Sequence, residues 1–255
     1  MQNTLLVGLS RQVVLSRELG IVANNIANIN TAGFKADGAV FEEFIGKTAR
    51  SDKMSRRDSQ VSFVRDRASW IDFSQGTTER TGNPTDVAIN GKGFLAVQTP
   101  NGERYTRNGA LQVNNAGQLV TSAGFPVLGE NGPIQFQPTD VDIKISGDGS
   151  ISVAVAGNPG QESLRGKLRM VGIDNPGGLQ KDGAGTFALR EGVNVVPDTQ
   201  STFVQGSVEK SNVRSVVEMT RMIEITRTYT QVANMMQQQA DLSRTAIDKL
   251  AEVPA

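Results

Sequence analysis

The sequence predicts an α+β protein in which N- and C-terminal helices pair as a coiled coil and a central all-β domain lies between them in the chain. Three observations predict it. Apolar residues recur at steps of three and four near both ends. The middle alternates apolar and polar residues at a period of two. Clusters of Gly, Asn and Pro punctuate that middle at short intervals. A chain of 255 residues is long enough to bury a sizeable core.

At the N-terminus, Leu15, Leu19, Val22, Ile26 and Ile29 follow one another at steps of 4, 3, 4 and 3, one seam of a helix with a heptad period. The seam runs back through Gly8 to Leu5. Asn30-Thr31-Ala32-Gly33 is the predicted stop, because Gly adopts the left-handed conformation that ends helices. Asn24, Asn25, Asn28 and Asn30 crowd this end. Asn competes for backbone hydrogen bonds and lowers helicity. These amides either cap a fraying end or bond neighbouring helices in a water-free assembly. Residues 1–35 are assigned to the N-terminal helix of an inner coiled-coil domain.

Residues 36–75 read as an extended linker. From Lys47 to Arg67 there are seven basic and three acidic residues and few apolar ones. The one aromatic there, Phe63, and the interleaved acids give no stacking platform for nucleic acid.

Residues 76–206 read as the β domain. Val141, Ile143 and Ile145 alternate with polar residues, Gly147-Asp148-Gly149 follows, and Ile151, Val153 and Val155 alternate again: strand, turn, strand. Turn clusters recur at Gly82-Asn83-Pro84, Asn101-Gly102, Asn114-Asn115, Asn131-Gly132-Pro133, Asn158-Pro159-Gly160 and Asn175-Pro176-Gly177-Gly178.

Residues 207–255 form the C-terminal helix. Met222, Ile225, Tyr229, Val232 and Met236 repeat the 3, 4 spacing, and the seam continues through Gln239, Ser243, Ala246 and Leu250. Neither Gly nor Pro interrupts residues 207–253. Ser215 with Glu218 matches a capping box, and Ser211 offers an earlier start. A helix of ~40 residues is ~60 Å long, the length of a coiled coil or filament element.

Composition narrows function. Lys plus Arg and Asp plus Glu are 26 each, so the basic excess of a general nucleic-acid binder is missing and self-repulsion is small. The chain has no Cys and no His. Thiol nucleophiles, disulfides, Cys-ligated metals and the commonest general base are thereby removed. The opening lacks the basic-then-apolar pattern of a secretory signal, and no run approaches the ~20 apolar residues of a membrane helix.

Short catalytic motifs read as chance. Gly46-Lys47-Thr48 ends like a phosphate loop, but Phe41 stands where Gly is needed. Ser207-Val208-Glu209-Lys210 matches S-x-x-K, but Arg80-Thr81-Gly82, the K-T-G-like element, precedes it instead of following. Gly91-Lys92-Gly93 reads as a turn between strands, since Ala96 replaces the third Gly of a dinucleotide loop. Asp140, Asp142 and Asp148 lack the bidentate Glu of a calcium loop and suit a strand's polar side and a turn.

Longer motifs carry a resemblance. Ala23-Asn24-Asn25-Ile26-Ala27-Asn28, Asn30-Thr31 and Gly33-Phe34-Lys35 resemble the N-terminal signature of flagellar rod and hook proteins. Residues 76–129 resemble that family's central signature, with Leu95 where many relatives have a second Phe. Ser211-Asn212-Val213, Glu218-Met219-Thr220, Met222-Ile223 and Arg227-Thr228-Tyr229 resemble its closing motif. Residues 155–205 match less clearly. The length suits a rod subunit, and both ends resemble the proximal-rod member, with the distal-rod member as the alternative.

The resemblance implies a structural, non-enzymatic subunit that self-assembles into the axial drive shaft of the basal body and transmits torque. It implies an inner layer of terminal helices, an outer β layer, export by the flagellar type III apparatus and a place in the periplasmic rod. The expected partners are other rod proteins, with no cofactor, metal, nucleic acid or small-molecule substrate. The expected assembly interface is Leu15, Leu19, Val22, Asn25, Ile26, Asn28, Ile29, Met222, Ile225, Tyr229, Val232 and Met236. The competing class is a peptidoglycan-acting enzyme using Asp140 and Asp142, which sit two apart on a strand and point the same way.

Overall fold

The structure, a computed structural model, describes residues 2–46, 61–156 and 158–251. The chain divides into two compact units: Met1–Ala27 with Asp37–Ile71 and Arg214–Ala255, and Asn28–Ala36 with Asp72–Val213.

The first unit holds both long helices. α1 covers Gln2–Ala27 and α2 covers Ser215–Ala251, about 39 and 55 Å long at 1.5 Å per residue. They run antiparallel: Gly8 lies against Met236, and Glu18 Oε1 accepts from Arg221 Nη2 and Nε at 2.7 and 3.0 Å. A Cβ on Gly8 would come within 2.9 Å of Met236 Cγ, so the missing side chain lets the helices approach there. Ser215 lies inside the first turn of α2 and not at its cap, because the Arg214 carbonyl accepts from the Glu218 N–H at 3.0 Å.

Next to the helices in this unit is a hairpin where a linker was expected. β1 (Asp37–Gly46) and β2 (Val61–Ile71) pair antiparallel from Asp37↔Ile71 to Gly46↔Val61. The sequence hides these strands because Val40-Phe41 and Phe44-Ile45 come as apolar pairs around Glu42-Glu43, and the register shifts at Val40/Phe41. Gly38 sits opposite Trp70, and its missing side chain leaves room for the indole. Most of the basic run, Lys47 to Gln60, lies outside the described residues.

The second unit is all β. Its strands are β3 (Thr78–Arg80), β4 (Val87–Asn90), β5 (Phe94–Thr99), β6 (Gly102–Thr106), β7 (Leu111–Val113), β8 (Leu119–Thr121), β9 (Leu128–Gly129), β10 (Gly132–Pro133), β11 (Asp140–Ile145), β12 (Ser150–Val155), β13 (Asn158–Lys167), β14 (Met170–Ile173), β15 (Leu179–Lys181), β16 (Thr186–Leu189), β17 (Val195–Pro197), β18 (Thr202–Gln205) and β19 (Ser207–Glu209). The largest sheet has the order β15-β16-β6-β5-β14-β17, all antiparallel. A second sheet runs β11-β12-β13, and β3–β19, β4–β18, β7–β8 and β9–β10 make two-stranded ladders. Leu95, Val97, Leu119, Val127 and Ile151 are fully buried at the centre of its core.

Several turns stand where the sequence placed them. Asn101-Gly102 joins β5 to β6, with Gly102 at φ +100°. Asn114 Oδ1 accepts from the Ala116 and Gln118 N–H groups, both at 2.9 Å, between β7 and β8. Asn175 caps the 3₁₀ turn Pro176–Gly178 by accepting from Gly177 N. The alternation in β11 holds only in part. Ile145 is buried but Val141 is exposed, because the ladder bulges between Val141 and Lys144 and Asp142 takes φ +50°. Residues 155–205, the least legible stretch, supply β14–β17, four of the six strands of the largest sheet.

Candidate assembly interface

The helix pair uses much of its seam within the chain. Leu15, Val22, Ile225 and Val232 are buried together, with Leu19, Ile26, Met222 and Met236 packed around them. Tyr229 keeps 38% of its surface exposed. Ile29 leaves the seam because α1 ends at Ala27, so the step from Ile26 no longer returns to the same face. The helix stops early because Asn28 turns the chain: its carbonyl accepts from Thr31 N at 3.2 Å and its Oδ1 from Thr31 Oγ1 at 3.1 Å.

Asn25 has no exposed surface. Its Oδ1 accepts from Asp37 N and its Nδ2 donates to Asp37 O, both at 2.9 Å. One amide thus satisfies both backbone groups of the first residue of β1 and clamps the hairpin to α1. Of the two readings open for these amides, the Asn25 amide is used within the chain, and Asn28 Oδ1 accepts there from Thr31 Oγ1.

The surface left for neighbours lies elsewhere on the helices. On α2, Val216, Val217, Met219, Ile223, Met235, Leu242 and Ile247 are exposed, and on α1 Leu9 and Val13. Seam spacing misses these residues because they fall between seam positions. The signal that would have found them is their apolar character at places where a solvated pair carries charge.

In the second unit, two signature motifs hold backbone together. Asn212 Oδ1 accepts from Ala36 N at 2.8 Å and its Nδ2 donates to Asp72 O at 2.7 Å. Lys35 and Glu209 are 0% exposed and paired at 2.6 Å. Lys35 Nζ also donates to Ser74 O, Gly76 N donates to Glu209 Oε1, and Arg107 reaches Glu209 Oε2 at 3.4 Å. Burial pushes the Lys35 ammonium below its ordinary pKa, and the Glu209 carboxylate pulls it part of the way back. Gly33 stands at φ +68°, where a Cβ would meet the Arg107 backbone at 2.4 Å. In the sequence Lys35 belongs to one signature motif and Glu209 to the S-x-x-K match. Nothing in residue spacing pairs positions 35 and 209.

The groups considered for catalysis are engaged or apart. Arg165 holds Asp140 with Nε at 2.7 Å and Nη2 at 2.5 Å. Asp142 sits on the bulge, so the two carboxylates do not share an alternating face. Lys210 pairs with Glu79, while Ser207 is buried on β19. Gly91-Lys92-Gly93 links β4 to β5 as a turn. Among the described residues, no group of three or more carboxylates could hold a metal, and no helix is long and apolar enough to cross a membrane.

A paired-helix unit with outward apolar residues, joined to a β unit built on hairpins, has the makings of a structural subunit. Comparison with known proteins agrees. Three family models match: "Flagella basal body rod protein" over residues 5–35, "Flagellar hook protein FlgE/F/G D1 domain" over 88–153, and "Flagellar basal body rod FlgEFG protein C-terminal" over 204–249. The chain belongs to the flagellar basal-body rod protein family, structural subunits of the flagellar basal body.

Within that family the likeness is to FlgF. The flagellar basal-body rod protein FlgF of Caulobacter vibrioides is 41% identical over 255 residues, covering 99% of this chain and 100% of the relative. FlgF of Mesorhizobium japonicum is 34% identical over 98% of each chain. FlgG of Buchnera aphidicola subsp. Schizaphis graminum is 34% identical but covers 83% of this chain and 85% of its own.

Proposed function

We propose that the chain is a self-assembling subunit of the proximal rod, part of the axial drive shaft that carries torque across the periplasm. Its partners are other copies and related rod proteins in a helical array, reached through the flagellar type III export apparatus. It acts without catalysis, cofactor, small-molecule substrate or nucleic acid. The fuller match to FlgF than to FlgG supports the proximal position.

The observation that carries this reading is the apolar surface of α2. Val216 is 75% exposed, Ile223 59% and Met235 65%. Exposed apolar surface of this extent marks a site of association. The proposed interface therefore shifts outward. Leu9, Val13, Val216, Ile223 and Met235 meet neighbours, with Leu19, Ile26, Met222, Tyr229 and Met236 at the rim. Leu15, Val22, Ile225 and Val232 shape the pair from inside. Close packing of such helices resists shear, which is what torque transmission requires.

Ile223→Asp puts a charge on that surface without touching the buried cluster. It is expected to abolish swimming and remove the subunit from isolated basal bodies, while the purified protein keeps its helix content by circular dichroism. Normal swimming in this variant overturns the reading.

A further inference from the structure

Asn-Gly pairs occur at 90–91, 101–102, 108–109 and 131–132, all in the β unit. Asparagine is a thermolabile residue. Before glycine it is most so, because no side chain keeps the glycine nitrogen from the carboxamide carbon. The fold treats the four pairs differently. Asn108 is 8% exposed, and its amide is held at both ends: Oδ1 accepts from Ala110 N at 3.0 Å and Nδ2 donates to Ser122 Oγ at 3.3 Å. Asn90 is exposed, but it pairs with Thr202 in the β4–β18 ladder, and the Gly91 carbonyl accepts from Arg107 Nη2 at 2.6 Å. Asn101 is exposed at a hairpin tip. Below it a ladder runs from Leu95↔Thr106 to Thr99↔Gly102, and Thr99 Oγ1 donates to the Gly102 carbonyl at 2.8 Å. Asn131 is exposed on the shortest of these ladders, where β9 and β10 share only Gly132↔Gly129 and Pro133↔Leu128. Nothing lies within 4 Å of the place where a Gly132 side chain would begin. Just beyond, Ile134 is tied on both sides, its N–H to Val127 O at 3.2 Å and its carbonyl to Leu119 N at 3.0 Å, so the tip can open without disturbing the core.

We propose that Asn131 is a site of spontaneous deamidation, the fastest of the four, with Asn101 slower and Asn90 and Asn108 protected. The Gly132 nitrogen loses its proton and attacks Asn131 Cγ. An N–Cγ bond forms and closes a cyclic imide, the Cγ–Nδ2 bond breaks, and the leaving nitrogen takes up a proton as ammonia. Water then opens the ring. Opening at one carbonyl gives aspartate; opening at the other gives isoaspartate, in which the main chain runs through the former side chain. One water enters and one ammonia leaves, so the step needs no oxidant and no second protein. Local opening sets the ranking. Ring closure requires the tip to leave its turn, and a ladder of two pairs opens at lower free energy than a longer one. Either product adds a negative charge to a chain whose formal net charge is zero, beside Glu130 and the Lys167 that pairs with it at 3.3 Å. Isoaspartate also lengthens the turn between Gly129 and Gly132 by one main-chain carbon, and tight hairpin turns are selective for backbone geometry.

The test uses the purified chain and does not depend on its assembly. The protein is incubated at pH 8.5 and followed by isoelectric focusing and peptide mass mapping. The peptide carrying Asn131 is expected to exchange its amide for a carboxylate roughly tenfold faster, or more, than those carrying Asn90 and Asn108, with the Asn101 peptide between them. A smaller lead, or an unchanged Asn131, overturns the proposal. In urea, where no ladder protects any pair, the four rates are expected to converge to within about threefold. A ranking that survives unfolding overturns the proposal too, because local sequence and not the fold would then set it. Asn131→Ser, a change at an exposed position, is expected to abolish the first acidic band; its persistence in that variant is a third overturning result.

Discussion

Lys35 and Glu209 are removed from water entirely, and the pair persists because other groups complete the carboxylate's bonds. Two cations and one backbone N–H converge on Glu209, so loss of one partner leaves buried charge poorly compensated. Lys35→Met is expected to cost about 3–5 kcal/mol, read as a lower urea midpoint. Asp140 shows the opposite balance. The Arg165 guanidinium holds its carboxyl below the ordinary carboxylate range, against a smaller opposing effect of burial. A depressed folded pKa means that the unfolded chain binds more protons in acid. This contribution is therefore present above about pH 4, the unfolded carboxylate value, and is lost as pH falls through the folded one. Asp140→Asn is expected to lower stability at pH 7 and to flatten its fall toward pH 3, measured by urea unfolding at both. An unchanged acid limb would mean that other carboxylates govern it.

At the scale of elements, the helix pair depends on a narrow strip. Leu15, Val22, Ile225 and Val232 are its buried members among the described residues. Ile225→Asp places a charge in that strip, and burying an unpaired charge is among the most damaging single changes. The expected result is loss of most helical circular dichroism, with the β unit surviving limited proteolysis. Retention of the helices would show that α1 and α2 stand without their seam. The seam was legible because helical spacing alone puts its residues on one face. The hairpin of β1 and β2 was not, because a bulge and paired apolar residues mask the two-residue period. The end of α1 was misplaced by about a turn, because Asn28 starts the turn before Gly33 can.

Across the molecule, the two units are unequally anchored. Among the described residues, the β unit buries a cluster centred on Leu95, Val97, Leu119 and Ile151 together with ten further residues, against four in the helix pair. Long helices with little tertiary burial are marginal in water. Amide exchange on purified subunit is expected to be fast over residues 5–29 and 222–250 and slow in the β unit. Helices held by so few contacts open readily and are fixed where neighbours cover them. Protection across both ends in the monomer equal to that of the β unit would show that the pair needs no neighbours.

The sequence by itself determined the α+β class, both seams, most turns of the β unit and the family, because each rests on local spacing or on contiguous motifs. Only the tertiary structure decided what those residues face. It turned Asn25 inward onto Asp37, joined Lys35 to Glu209 and left Ile223, Leu242 and Ile247 in water. The physical reason is that periodicity selects a face of a helix or strand, whereas the partner of that face depends on the register and length of elements far away in the chain.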